Sequence, residues 1–231
     1  MSYTLYIGDR MFSSWSLRGW LLFDPFNIPC ETREVGLYSD SFKKDMEPIA
    51  PARLVPSLRL PDGTVFSESL AIAETLNERH PDAGIWPADA SKRAVARWLC
   101  AEMASGFAPL RDACAMQLHG VWDGFTPSGI VRADLERLET IWAHARGISG
   151  VQSGYLFGDY CATEAFFTPV AARIVGYKLP VSESALDYCR AMLSHPSFKK
   201  WRTEALKDEY NPLPHDMNLP RQSWPEVSTA G

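Results

Sequence analysis

The chain has 231 residues, 46% of them hydrophobic and 22% charged, with a formal net charge of −5. That acidic balance excludes general binding to nucleic acid or to anionic membranes, which needs a basic surface. No apolar run reaches the length of a membrane span, and the composition is that of a globular protein large enough for one or two domains and a sizeable core.

Tyr3 to Ile7, rich in aromatic and branched residues, predicts a strand. A loop over Gly8–Ser14 follows, then a helix from Trp15 to Phe23 with Leu17, Trp20 and Leu21 at helical spacing. Glu31–Val35 predicts a short second strand and Ser41–Met46 a short helix. Leu58 and Leu60 alternate with Ser57 and Arg59 as in a half-buried strand. Pro56 marks that strand's start or an edge, because proline cannot donate to a ladder, and X-Pro bonds are the ones that adopt cis. Pro61-Asp62-Gly63 supplies a turn, Thr64-Val65-Phe66 the return arm, and Ser67 a cap for a helix with Leu70, Ala73 and Leu76 on its apolar face.

The proline- and glycine-bearing stretch from Pro81 to Pro87 is the best candidate for a domain boundary. Beyond it the periodicity is helical, and no strand pairing is expected past Trp98. Long helices are predicted over Ser91–Leu118, bent near Gly106 and Pro109, and over Val131–Arg146. Ala162–Val175, Glu183–Leu193 and Phe198–Leu206 follow, and residues 211–231 read as an irregular tail. Met1-Ser2-Tyr3-Thr4 lacks the basic and apolar regions of a secretory signal, so a cytoplasmic location is expected. Cys30, Cys100, Cys114, Cys161 and Cys189 are scattered and read as reduced thiols, while five scattered histidines give no support for a metal site.

The stretch around Pro56 carries the chemistry. Its backbone N–H and C=O groups are free to meet a peptide-like ligand. Glu68 and Ser69 fall in the first helical turn, where amides and the helix dipole favour an anion. The amide and hydroxyl of Ser69 suit a carboxylate and the carboxylate of Glu68 suits an ammonium. One amino-acid head group has both.

V-P-S-L, the P-D-G hairpin and S-E-S-L-A-I-A-E-T-L together resemble the glutathione-binding core of the glutathione S-transferase family, a likeness that runs from about Tyr3 to Lys207. It implies a thioredoxin-like domain over residues 1–80 and an all-helical domain over 88–210 that completes a hydrophobic substrate site. It also implies a homodimer with glutathione as co-substrate and no metal. Val55 and Pro56 match its Val-cis-Pro pair, with Val55 paired to the cysteinyl part of glutathione, and Glu68 and Ser69 match its γ-glutamyl site. Arg53 and Lys43 are basic candidates for the glycyl carboxylate. Met103, Phe107 and Leu110 fall near the family's hydrophobic pocket, with core filling as the alternative reading. Gly158–Pro169 resembles a family folding motif, with Cys161 where a serine or threonine cap is usual and Glu164 where aspartate is usual.

A free thiol has a pKa of about 8.5, so the family must favour thiolate with a hydroxyl donor. Phe12 to Arg18 is similar to the S-S-C-S-W-R-V-R region of the zeta class. Counted without gaps, the first serine of that string falls on Met11, its cysteine on Ser13 and its last serine on Ser14; a loop shifted by two residues would restore a serine. Ser13 and then Ser14 are the candidate donors, each equally readable as a helix cap, with Tyr6 a weaker alternative. The resemblance leads to conjugation of glutathione to electrophilic small molecules. The alternatives are a zeta-like cis–trans isomerase of a maleyl-type acid, for which Arg111 is the one cation beside the apolar stripe, and a non-catalytic glutathione-binding regulatory protein.

Overall fold

The computed structural model describes residues 2–207 and 217–225. The Tyr-Thr-Leu-Tyr-Ile run forms β1 (Tyr3–Ile7), buried along its whole length. β1 pairs in parallel with β2 (Cys30–Glu34) and antiparallel with β3 (Ser57–Arg59), which pairs antiparallel with β4 (Val65–Ser67). The sheet order is β2-β1-β3-β4. Between these strands lie α1 (Ser14–Trp20) and the short α2 (Phe42–Met46), and α3 (Ser69–Arg79) closes the N-terminal part.

Alternation along β1 divides two apolar layers. Leu5 and Ile7 join the main core with Leu17, Leu58, Ile72 and Leu76, whereas Tyr6 faces the other way with Val35, Met46 and Ile49. The predicted cap Ser67 instead belongs to β4, where its hydroxyl bonds Ser57 Oγ across the hairpin at 2.6 Å. α3 therefore starts at Ser69, with Glu68 as its N-cap at φ 78° rather than inside the first turn.

The C-terminal part is helical: α4 (Ala90–Ser105), α5 (Ala108–Ala113), α6 (Gly129–Ser149), α7 (Ala162–Gly176), α8 (Glu183–Ser194) and α9 (Pro196–Ala205). Two expectations are corrected here. The single helix over Ser91–Leu118 is two helices, since Gly106 is extended and Phe107 has φ 59°. A strand pairing also exists beyond Trp98: β5 (Gly120–Trp122) pairs antiparallel with β6 (Arg221–Ser223). Gly120 permits this because a Cβ there would stand 2.4 Å from the Gln222 carbonyl oxygen. The irregular-tail expectation therefore fails at residues 221–223, and residues 208–216 and 226–231 lie outside the described residues.

α7 runs through the centre, nearly all of it buried. Cys161 caps it poorly, and Glu164 compensates. Its carboxylate accepts from Cys161 N at 3.0 Å, Leu156 N at 3.1 Å, Tyr188 Oη at 3.0 Å and Cys161 Sγ at 3.3 Å. Burial pushes this carboxyl upward, and the donors oppose that shift. Among the described residues, no helix is long and apolar enough to cross a membrane, and no group of three or more His, Cys, Asp or Glu is placed to hold a metal ion.

Gly19 brings α1 onto the sheet. A Cβ added there would meet Pro56 Cβ at 2.6 Å, closer than packed carbons come. Gly19→Ala is expected to cost about 1–3 kcal/mol through overpacking, read as a lower urea midpoint with an unchanged m-value.

Candidate functional site

The register of the sheet gathers the predicted residues. β3 opposes Ser57 to Tyr6 on β1 and to Ser67 on β4. Pro56 directly precedes β3 and Glu68 directly follows β4, so both lie at the same end of the hairpin, beside the end of β1. The Val55–Pro56 bond is cis, as expected, and Ala50–Pro51 is cis as well. Ser69 opens α3, an 11-residue helix whose first amides have no intrahelical partner. Its hydroxyl is fully buried and has no hydrogen-bond partner. A buried, unsatisfied hydroxyl carries a desolvation cost of about 1–3 kcal/mol, which an anionic ligand on the α3 terminus would relieve. Glu68, exposed and held at positive φ, is the kind of backbone outlier that persists at ligand sites.

The first loop sorts its serines. Ser13 is the N-cap of α1: its hydroxyl accepts from Ser16 N at 3.3 Å and donates to Ser16 Oγ at 2.8 Å, which in turn accepts from Gly8 N at 2.8 Å. Ser14 Oγ accepts from Arg173 Nη2 at 3.2 Å. Met11 is buried, and its sulfur accepts from Leu118 N at 3.1 Å. The position that aligns with the zeta-class serine is thus a packing contact with the helical part. Tyr6 points its hydroxyl into the opposite layer, beneath Arg59.

Arg53 and Lys43 are exposed. Met103, Phe107 and Leu110 are all buried in the main core, with Met103 on α4, Leu110 on α5 and Phe107 in the break between them rather than along one stripe. They fill the core, and the half-buried side chains beside them are Trp15 and Arg111. Sequence reasoning missed two further cations. Arg18, 1% exposed, lies between the rings of Trp15 and Phe166, its Cζ 4.4 Å and 4.7 Å from their centroids. Arg111 approaches the same Trp15 ring at 5.5 Å. Arg173 is 5% exposed and donates to Cys114 O, Pro169 O and Ser14 Oγ. Two nitrogens of Arg18, Nε and Nη1, are buried with no partner. Burial pushes Arg18 down to about 9 and Arg173 down to about 10, and repulsion from Arg111 adds to both. Arg18 belongs to the predicted helix, but nothing in its local pattern marks it as buried.

A lowered cation pKa means that folding disfavours the charged form, so the Arg18 charge weakens the ligand-free fold at neutral pH. Arg18→Met is therefore expected to raise stability by on the order of 1–4 kcal/mol, as replacements of buried ionic groups by apolar ones do. Thermal unfolding without ligand is the measurement, and an unchanged or lower Tm contradicts this account.

A family model described as glutathione S-transferase, N-terminal domain, matches residues 12–79. A probable maleylacetoacetate isomerase from Caenorhabditis elegans is 40% identical over 114 residues, 49% of this chain and 52% of the relative. The maleylacetoacetate isomerase of Rattus norvegicus is 32% identical over 119 residues, 50% of this chain and 54% of the relative. The chain thus spans about half the length of these curated relatives. Among solved structures, a glutathione transferase homolog from Burkholderia with bound glutathione is 26% identical, with a TM-score of 0.67 over 90% of this chain and 100% of that one. Glutathione transferase Omega 2S from Trametes versicolor matches with the same TM-score at 20% identity, covering 89% of this chain and 96% of that one, and shares the fold.

Proposed function

We propose, from the premise that the chain belongs to the glutathione S-transferase family, that it is a glutathione-dependent isomerase of a maleyl-type acid. Residues 1–80 form the glutathione-binding domain, and residues 88–210 complete the acceptor site. Val55 meets the cysteinyl backbone, and Glu68 and Ser69 hold the γ-glutamyl head group. Arg53 takes the glycyl carboxylate.

The single observation that carries the acceptor reading is the pair of guanidinium groups, Arg18 and Arg111, flanking Trp15. Arg18 has two donors without partners. A neutral, greasy electrophile would leave those donors unsatisfied, whereas a carboxylate would accept from them. Charge-assisted bonds of this kind are the stronger ones. The names of the curated relatives, matched over half their length, support the same substrate class.

Bound glutathione would supply a thiol that adds reversibly to the conjugated double bond, leaving a single bond free to rotate before the thiol departs. Arg111 orients the acid, and its charge opposes the negative charge that builds on the acceptor. Trp15 shields that charge pair from water. Conjugation to an electrophile is the second reading: it shares the first half of the reaction, and the Burkholderia protein, alike over its full length, is a glutathione transferase homolog. A homodimer belongs to both readings.

Ser69→Ala is expected to weaken glutathione binding by about 1–3 kcal/mol in calorimetry; unchanged affinity removes Ser69 from the site. Arg111→Ala is expected to raise KM for a maleyl acid about tenfold or more, the loss of one charged hydrogen bond, with glutathione affinity intact. Turnover of neutral electrophiles with no turnover of maleyl acids would shift the assignment to conjugation.

A further inference from the structure

We propose that Asp134 on α6 is the positioning residue for Arg111: it supplies the cap that α5 lacks and so fixes where that guanidinium meets the acid. This inference rests on the acceptor reading above, in which Arg111 orients the acid.

The start of α5 cannot cap itself. Its N-cap is Phe107, whose side chain has no acceptor and whose backbone is left-handed at φ 59°. Ser, Thr, Asp or Asn at that position would take the N–H of the second or third helical residue. The second residue is Pro109, which has no N–H to give. The third is Leu110, fully buried, so its N–H needs a partner from elsewhere. Asp134 provides it from another helix: Leu110 N donates to Asp134 Oδ2 at 2.9 Å. Arg111 is the next residue of α5, so this bond lies beside the backbone of the cation it fixes.

α6 braces both sides of the break between α4 and α5. Asp134 and Arg137 stand three residues apart on one face of α6. Arg137 donates to both carboxylate oxygens of Glu102, at 2.7 and 2.9 Å, near the end of α4. Asp134 holds the start of α5 in the same way. Arg111 Nη1 then reaches back across the break to Met103 O at 3.2 Å, and its other nitrogens donate to no described residue. Burial pushes Arg111 down, and the charges of Asp112 and Asp134 oppose that shift.

Two observations tie this cation to the Pro56 end of the sheet. The guanidinium lies 5.5 Å from the Trp15 ring, and Trp15 is one turn before Gly19 on the face of α1 that meets Pro56. Arg18, packed on the same ring, feels the charges of both Arg111 and Glu68.

The test is steady-state kinetics with a maleyl acid and with a neutral electrophile, together with glutathione calorimetry and thermal unfolding of each protein. Asp134→Ala is expected to raise KM for the maleyl acid about fivefold, as the loss of one hydrogen bond does, with glutathione affinity unchanged. KM for the neutral electrophile should stay at its wild-type value, a selectivity that general loosening of the fold would not produce. Asp134→Asn, which keeps an acceptor oxygen, should restore most of the acid's KM. Arg111→Ala and the double variant with Asp134→Ala should share one KM, because Asp134 acts through Arg111. A lower Tm in Asp134→Ala with an unmoved KM for the acid leaves Asp134 a structural cap and overturns the proposal, as does an equal loss with both acceptors. Should Asp134→Ala not fold, Asp134→Glu decides: its extra methylene displaces the acceptor oxygen, and an unchanged KM overturns the proposal. If the wild type turns over no neutral electrophile, glutathione affinity serves as the control for selectivity. A wild-type KM in Arg111→Ala would overturn the acceptor reading itself, whereas a raised KM there with none in Asp134→Ala sinks this inference alone.

Discussion

The register of β3, with Ser57 opposite Tyr6 on one edge and Ser67 on the other, is the constraint from which the site is built. Strand pairing has a period of two, so a slip of one residue would exchange the faces of Ser57 and Leu58 and carry Pro56 away from Glu68. The hairpin turn at Pro61–Gly63 sets that register locally, with Leu60 N bonded to Thr64 O and Gly63 N to Leu60 O. Ser57 Oγ reinforces it through Leu54 O and Ser67 Oγ. Gly19 then lets α1 settle against Pro56, so the first loop reaches the same end of the sheet.

The second part of the chain reaches this end through cations rather than through apolar contact alone. Arg173 from α7 meets Ser14, and Arg18 from α1 meets Phe166 on α7. Trp201 on α9 donates its indole N–H to Arg10 O in the first loop, and its ring packs on Trp20. Met11 accepts from Leu118 N. Buried guanidinium groups are expensive unless paired, and only Arg173 is fully engaged by described partners. Arg18 keeps open donors beside an aromatic ring. That asymmetry separates the two: Arg173 has all three of its nitrogens engaged, whereas Arg18 keeps two buried donors without a described partner.

The polar centre of the helical part obeys the same logic with a different outcome. Glu164 is completely buried, but four donors converge on its carboxylate from Leu156, Cys161 and Tyr188. The cap lost to cysteine at position 161 is recovered by a neighbour that gathers the loop 156–161, α7 and α8 at one point. It is a hydrogen-bonded structural carboxyl, and it lies in the core rather than at the site.

Local chemistry in the sequence was enough for β1, the hairpin and the later helices, because each rests on periodicity or a turn within a few residues. The cis Pro56 and the place of Ser69 in the first turn of α3 were legible locally, whereas the positive φ of Glu68, expected inside that turn, was not. Residues joined over long separations were not. The β5–β6 pairing depends on Gln222, about a hundred positions from Val121, and a three-residue strand has too little periodicity to announce itself. Met103, Phe107 and Leu110 read equally as pocket or core, and tertiary packing buries all three in the main core. The sequence also placed Ser13 and Ser14 side by side with nothing to separate them. Folding separated them, because Ser16 occupies the proton of one and Arg173, from the far half of the chain, occupies only the lone pair of the other.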